Sequence, residues 1–211
     1  MKPRLVLMAL ALVCAHTTVY AQGTPQGDPA KAQNIVNQVC SSCHASDGNS
    51  TIPVNPRLAG QQADYILKQL KNFKAEGGKP PQRANPVMNG MAAPLTADDM
   101  VNLAAYFSSQ KPKPAAARNP DLVKIGQSIY RAGIATKGVP ACAGCHSPDG
   151  AGVPAQFPRL AGQHPEYTIA QLNSFRAGER ANDANRMMRA TAEKLSDKEI
   201  AGLAEYIVGL H

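Results

Sequence analysis

The chain has no tryptophan, and its aromatic residues make up only 5% of 211. With so few large rings to fill a core, folding units of under a hundred residues would be marginal alone. Cysteine is scarce too. Of five, Cys14 stands near the start and the other four fall in two tight clusters, so none is left over for structural disulfides. After the opening residues no apolar run is long enough to cross a bilayer. A basic face is also missing. The formal charge is +7, but Lys2 and Arg4 carry two of the positive charges and 111–118 holds three more. Residues 22–110 and 119–211 each carry an excess of one, without aromatic interleaving, which excludes nucleic acid as a partner.

The opening stretch has a basic start, an apolar run from Leu5 to Ala15 and a small-x-small ending at Val19-Tyr20-Ala21. Residues 1–21 read as a cleaved secretory signal, leaving an exported protein. Cys14 offers a lipoprotein anchor as the alternative, but Val13 before it is too bulky for that signal.

What the chain does have is one pattern written twice. Cys40, Cys43 and His44 recur 102 residues later as Cys142, Cys145 and His146, and Pro56-Arg57-Leu58-Ala59-Gly60-Gln61 recurs at the same offset as Pro158–Gln163. Tyr65, Gln69, Leu70 and Phe73 likewise match Tyr167, Gln171, Leu172 and Phe175. Further on the offset falls to 100, with Leu95, Leu103 and Tyr106 matching Leu195, Leu203 and Tyr206. A two-residue deletion in one loop accounts for the change. The repeat implies duplication of one module, at 22–110 and 119–211, joined by the Pro/Ala/Lys linker 111–118.

Each module reads as helical, without convincing strands. Asp28-Pro29 and Asn119-Pro120 are helix starts, with a capping side chain before a first-turn proline. Middle helices are expected at Ala63–Ala75 and Pro165–Ala177, with Gly77 and Gly178 beyond their ends. Thr96-x-x-Asp99 and Ser196-x-x-Glu199 are capping boxes opening the last helices. The second module alone has a glycine-rich insertion, Gly133–Pro140.

In an exported chain, Cys-x-x-Cys-His is the spacing of covalent c-type haem attachment. Two thiols add to the porphyrin vinyl groups, and the next residue presents an imidazole to the iron. Two copies imply two haem c groups. A redox dithiol or half a zinc site are the alternatives for an isolated pair. A histidine directly after the second cysteine, in both copies, disfavours them. The Pro56 and Pro158 carbonyls are candidates to hold the far ring N–H, against the simpler reading of PRLAG as a turn. Arg57 and Arg159 are candidates to grip haem propionates, against a reading as surface residues. Asp47-Gly48 and Asp149-Gly150 read as turns, His164 as a surface loop residue, and His211 as the terminus.

The repeat selects the sixth ligand. Met88 and Met188 each lie seven residues before matching leucines, and only these two positions hold methionine in both copies. Met91 falls opposite Thr191, Met187 opposite Val87, and Met100 belongs to a helix core. Met88 and Met188 are expected on loops arching over the haem, with gap-filling as the alternative. A thioether favours ferrous iron, raises the potential and closes the sixth position.

These motifs, taken in order with Met88 and Met188 before Leu-[ST]-x-[DK]-[DE] and the ending EYIVGLH, resemble the cytochrome c4 family across 22–211. The resemblance implies two tandem class I cytochrome c domains related by a pseudo-twofold axis, with propionate edges facing the interface. It implies His/Met-ligated low-spin iron, a periplasmic location and peripheral membrane association. The partners implied are membrane respiratory complexes: a quinol-oxidising donor and a haem–copper terminal oxidase, often of the cbb3 type. The expected function is single-electron shuttling, not enzymatic catalysis. The alternatives are a dihaem enzyme (a peroxidase or thiosulfate-type oxidoreductase), which needs an open or unusually ligated iron, or a cytochrome subunit of a dehydrogenase.

Overall fold

The computed structural model describes residues 26–210. The signal reading of residues 1–21, Cys14, the first four residues of the first module and His211 lie outside the described residues. In the first module, Asp28 accepts the Ala30 N–H at 2.9 Å and Pro29 opens α1 (Pro29–Ile35). This helix continues through a π-turn, Val36–Cys40, into α2 (Ser41–His44). There follow α3 (Ala63–Phe73), α4 (Pro86–Ala92) and α5 (Ala97–Ser109). The second module repeats the order as α6 (Pro120–Ala132), α7 (Ala143–His146), α8 (Pro165–Arg176), α9 (Met187–Ala192) and α10 (Asp197–Val208). Among the described residues the chain is all-α, with three isolated bridge pairs and no strand.

Each module has its own apolar cluster, built where the first and last helices cross. Leu103 and Leu203 are each only 2% exposed at these crossings, and burying a leucine contributes about 1.5–3 kcal/mol. Met100 and its counterpart Ile200 are buried there, as the repeat expects. Glycine sets the closeness of α6 to α10: a Cβ on Gly126 would lie 1.9 Å from the Gly202 carbonyl oxygen. Both capping boxes form, with Thr96 and Ser196 accepting from the N–H groups of Asp99 and Glu199.

Three details differ from the sequence reading. First, α3 ends at Phe73 and α8 at Arg176, one or two residues early, because the chain turns at once to carry Arg83 and Arg180 back. Second, the change of offset is not one two-residue deletion. The Arg83 N–H bonds to the Asn72 carbonyl and the Arg180 N–H to the Ser174 carbonyl, both at 3.0 Å. Those arginines are therefore equivalents 97 residues apart. The second module loses five residues before Arg180 and regains three in a 3₁₀ turn, Ala184–Arg186, before Met188. Third, the insertion Gly133–Pro140 is ordered into a 3₁₀ turn, Ala135–Lys137. Ile134 and Val139 close it with reciprocal backbone bonds of 2.9 and 3.1 Å.

The halves meet through the repeated PRLAGQ turns. Gln61 Nε2 donates to the Arg159 carbonyl and its Oε1 accepts the Arg159 N–H, both at 2.9 Å. Gln163 does the same to Arg57, at 3.1 and 2.9 Å. These reciprocal bonds are the local signature of the pseudo-twofold axis.

Candidate haem-binding sites

The histidine of each motif ends a short helix and stops there abruptly. Ala45 and Ser147, the next residues, take φ values of 60° and 67° with ψ of 157° and 153°. That region is normally left to glycine. The chain then turns through Gly48 and Gly150, whose φ angles are positive. The Gly48 carbonyl accepts the N–H groups of Leu58 and Ala59 at 2.8 and 3.1 Å, and the Gly150 carbonyl accepts those of Leu160 and Ala161 at the same distances. A Cβ on Gly48 would sit 2.8 Å from the Ala59 nitrogen, so the clamp requires glycine.

The clamp brings a proline carbonyl under each ring. His44 Nδ1 lies 2.9 Å from the Pro56 oxygen and His146 Nδ1 lies 3.0 Å from the Pro158 oxygen. A carbonyl only accepts, so Nδ1 carries the proton and Nε2 keeps its lone pair for a metal. Burial lowers the proton affinity of both rings, and the proline carbonyls pull partly the other way. A neutral ring is the ligating form. PRLAG and the Asp-Gly turns are thus parts of one histidine clamp rather than independent turns.

Among the described residues the four cysteines are unpaired thiols. Burial pushes the thiols of Cys40 and Cys142 up to about 11. A redox dithiol needs the opposite shift, so the thioether reading of the sequence fits better. Cys43 is half-buried and Cys145 exposed. The Ser50 hydroxyl (2.8 Å) and the Asn55 amide (3.3 Å) both donate to the Cys43 carbonyl, tying the following loop to the first motif.

Met88 and Met188 stand in the first turns of α4 and α9, on short helices and not on loops as expected. Local side-chain bonds, a cap in the first module only, accompany the difference. Asn85 accepts the Met88 N–H at 2.9 Å, with Pro86 in the first turn. In the second module Asp183 accepts the Arg189 N–H at 3.0 Å and pairs with the Arg189 guanidinium at 2.7 Å. Both methionines are half-buried, and Met188 packs against its module's core, whereas Met91 and Met187 are exposed.

Other expectations need revision. His164 is a buried interface residue, only 9% exposed. Its Nε2 lies 2.8 Å from the Ser50 carbonyl of the other module, because the fold presses the α8 start against the first haem-motif loop. Its counterpart Gln62 donates instead to the Ala151 and Phe157 carbonyls. Arg57 and Arg159 lie half-buried at the interface, and the Nε of each is buried without a partner. Sequence reasoning missed Gln61, Gln163, Arg83 and Arg180. The doubled PRLAGQ contained the first two, but Arg83 and Arg180 were hidden by the irregular offset.

The residues present fit haem c. The chemistry of the donor set is right: two unpaired thiols and an oriented imidazole per module. The orphaned Nε atoms of Arg57 and Arg159 are suited to carboxylates. Two helical modules, each with such a set, define a dihaem c-type cytochrome. The family profile described as cytochrome c matches residues 29–111 and 123–211. Cytochrome c4 of Thiocapsa roseopersicina is 47% identical, over 92% of this chain and 99% of that protein. The crystal structure of reduced recombinant cytochrome c4 from Pseudomonas stutzeri is 45% identical with a TM-score of 0.82, covering 88% of this chain and 100% of that one. A more distant relative, the thiosulfate dehydrogenase electron acceptor of Stutzerimonas stutzeri, is 34% identical over 98% of this chain and 91% of its own. The chain belongs to the cytochrome c4 family and carries two covalently bound haem c groups.

Proposed function

We propose that this electron-transfer cytochrome works in the periplasm, passing single electrons from a respiratory donor to a terminal oxidase. Cys40, Cys43 and His44 would hold one haem, with Met88 as a further ligand to its iron. Cys142, Cys145 and His146 would hold the other, with Met188. The observation that carries this reading is the identical setting of both imidazoles, each turned by a proline carbonyl so that Nε2 is the ligating atom.

Each haem supplies a one-electron iron couple. The protein's part is to hold it still and dry. Each clamp fixes ring orientation, and each module carries one buried apolar cluster. A methionine thioether, where it ligates the iron, would favour the ferrous form and raise the potential. A methionine ligand would leave no open position on the iron for a substrate, which supports a carrier over an enzyme.

The route to partners is asymmetric. Among the described residues, Val39, Ile52, Val54, Val87 and Met91 are exposed large apolar side chains in the first module, against Val153 and Met187 in the second. Val39 and Val87 directly precede Cys40 and Met88. Exposed apolar side chains beside a redox centre suit brief docking of another protein. The partners are membrane respiratory complexes, a quinol-oxidising donor and a haem–copper oxidase of the cbb3 type, reached by peripheral association with the membrane. Among the described residues no helix is long and apolar enough to cross one. The relative named as a thiosulfate dehydrogenase electron acceptor favours such a dehydrogenase as the other donor to test.

Redox titration of the holoprotein, followed in the visible and near-infrared, tests the coordination. Low-spin iron with the weak sulfur-to-iron band at both haems is expected. A high-spin ferric signal, or carbon monoxide binding by the native reduced protein, overturns the carrier reading.

A further inference from the structure

Four arginines reach the module interface, and three of them find side-chain acceptors there or in the linker. Arg83 and Arg180 lie side by side, buried, with Gln69 and Gln171 accepting from both. Arg57 Nη1 donates to the Lys113 carbonyl of the linker at 3.1 Å. Arg159, the repeat partner of Arg57, has no such acceptor. Among the described residues its side chain takes part in no ion pair, and its Nε is buried without a partner. The linker accounts for the difference. In the first module it is strapped across the PRLAGQ turn: Asn49 Nδ2 donates to the Lys111 carbonyl at 3.0 Å, and Asn49 Oδ1 accepts the Lys113 N–H at 2.8 Å. Pro112 covers Gly60, where a Cβ would meet the proline Cγ at 2.5 Å. The second module has Ala151 in place of Asn49, with no amide to hold a strap. A Cβ on Gly162 would meet nothing among the described residues closer than the Lys113 oxygen, at 3.9 Å.

Where the strap is missing there is an open cavity of about 170 Å³. The second module contributes Arg159, Ala161, Gly162 and Leu210 to its lining, and the linker contributes Pro112 and Lys113. A cavity needs about 10–15 Å³ to hold one water, so this one has room for a group of several heavy atoms. Both charged side chains that line it are cations. Lys113 is already paired with Asp47 at 2.7 Å, out in solvent, which leaves the Arg159 charge uncompensated. A guanidinium presents a fork of donors that matches two oxygens of a carboxylate or phosphate. A buried donor without an acceptor is unfavourable, so an oxoanion in the cavity supplies both the missing acceptor and the missing charge.

We propose that this cavity binds a small oxoanion from solution, held by the Arg159 guanidinium in the way the Lys113 carbonyl serves Arg57. The same chemistry suits a haem carboxylate, but the place does not. Arg159 follows Pro158, whose carbonyl meets His146 on its Nδ1 side, away from the nitrogen left for iron, and the cavity opens to solvent. The consequence is mechanical. The linker is already strapped to the first module, so an anion lodged between it and Arg159 fastens its other side to the second. Occupancy therefore stabilises the docked pair of modules, as any ligand that binds only the folded form does. The site goes beyond the electron-transfer reading and does not depend on it.

The test is isothermal titration calorimetry of the holoprotein with inorganic phosphate, at fixed pH and ionic strength in a buffer free of other oxoanions. One phosphate per chain should bind the wild type, and at least tenfold more weakly when Arg159→Gln is introduced. That substitution leaves the backbone bonds between residue 159 and Gln61 in place, so the fold should survive it, with two haems per chain by pyridine haemochrome as the check. Arg159→Lys keeps the charge but not the fork and should bind more weakly than the wild type. Lys198→Gln removes an equal charge from an exposed position of α10 and should leave the affinity unchanged. Phosphate should also raise the melting temperature of the wild type and not that of the Arg159→Gln protein. No uptake, the result expected if a haem carboxylate already holds Arg159, overturns the proposal. So does uptake that survives Arg159→Gln undiminished. An equal loss in the Lys198→Gln protein would mean a diffuse effect of net charge and would overturn it too.

Discussion

Gln61 and Gln163 hold each other's module by the same two bonds, each side chain bridging the backbone N–H and carbonyl of the arginine in the opposite PRLAGQ turn. Those arginines follow Pro56 and Pro158, whose carbonyls orient the two histidines. The interface and the histidine clamps are therefore one continuous piece of backbone.

Replacing Gln163 with Ala leaves the Arg57 N–H and carbonyl unpaired in a half-buried turn. Stranded buried polar groups cost about 1–3 kcal/mol. The holoprotein should melt several degrees lower, with its two halves unfolding less cooperatively, as calorimetry will show. An unchanged single transition would mean that these bonds do not couple the modules.

Met188→Ala removes the thioether from the second module only. About half of the sulfur-to-iron absorption should vanish and one of the two potentials should fall, since a thioether raises the potential of the iron it ligates. Loss of neither signal would show the ligand to be wrongly assigned.

Acid should open the second module first. Burial opposes the Asp183 charge, but the Arg189 backbone and guanidinium outweigh it and hold its carboxyl below the ordinary range. A carboxylate with a depressed folded pKa adds stability that is present above its unfolded value and lost as pH falls through the folded one. The α4 cap, Asn85, does not titrate in this way. In an acid titration the sulfur-to-iron band of one haem should therefore fade earlier, and Asp183→Asn should weaken that band already at neutral pH. Equal loss at both haems across the titration would refute the difference.

Ala45→Gly should stabilise the fold without altering the haem spectrum. Alanine at φ 60° and ψ 157° bears strain of about 1–3 kcal/mol, which outweighs the roughly 0.4–1 kcal/mol that glycine's freer unfolded chain costs. Thermal melting with a constant visible spectrum checks this. A lower melting temperature would show that the backbone there is not strained.

The duplicated motifs, the capped helix starts and the core role of Met100 were all legible in the residues. Each depends on short-range spacing, which survives without knowledge of the fold. The helical seats of Met88 and Met188 were harder to see because α4 and α9 are only seven and six residues long. The buried place of His164 was not legible, since a polar residue before a helix proline looks like a surface loop until another module is pressed against it. Arg83 and Arg180 escaped because a loss of five residues and a gain of three appeared as a net change of two.

By itself the sequence determined that a single helical unit was copied, with one Cys-x-x-Cys-His motif in each copy. Covalent spacing and helical periodicity are local, so they can be read along a line. Only the tertiary structure decided how the copies face one another: which glutamines cross, which backbone carbonyl turns each histidine, and where two buried cations lie side by side. These relations join residues about a hundred positions apart, and no local pattern records them.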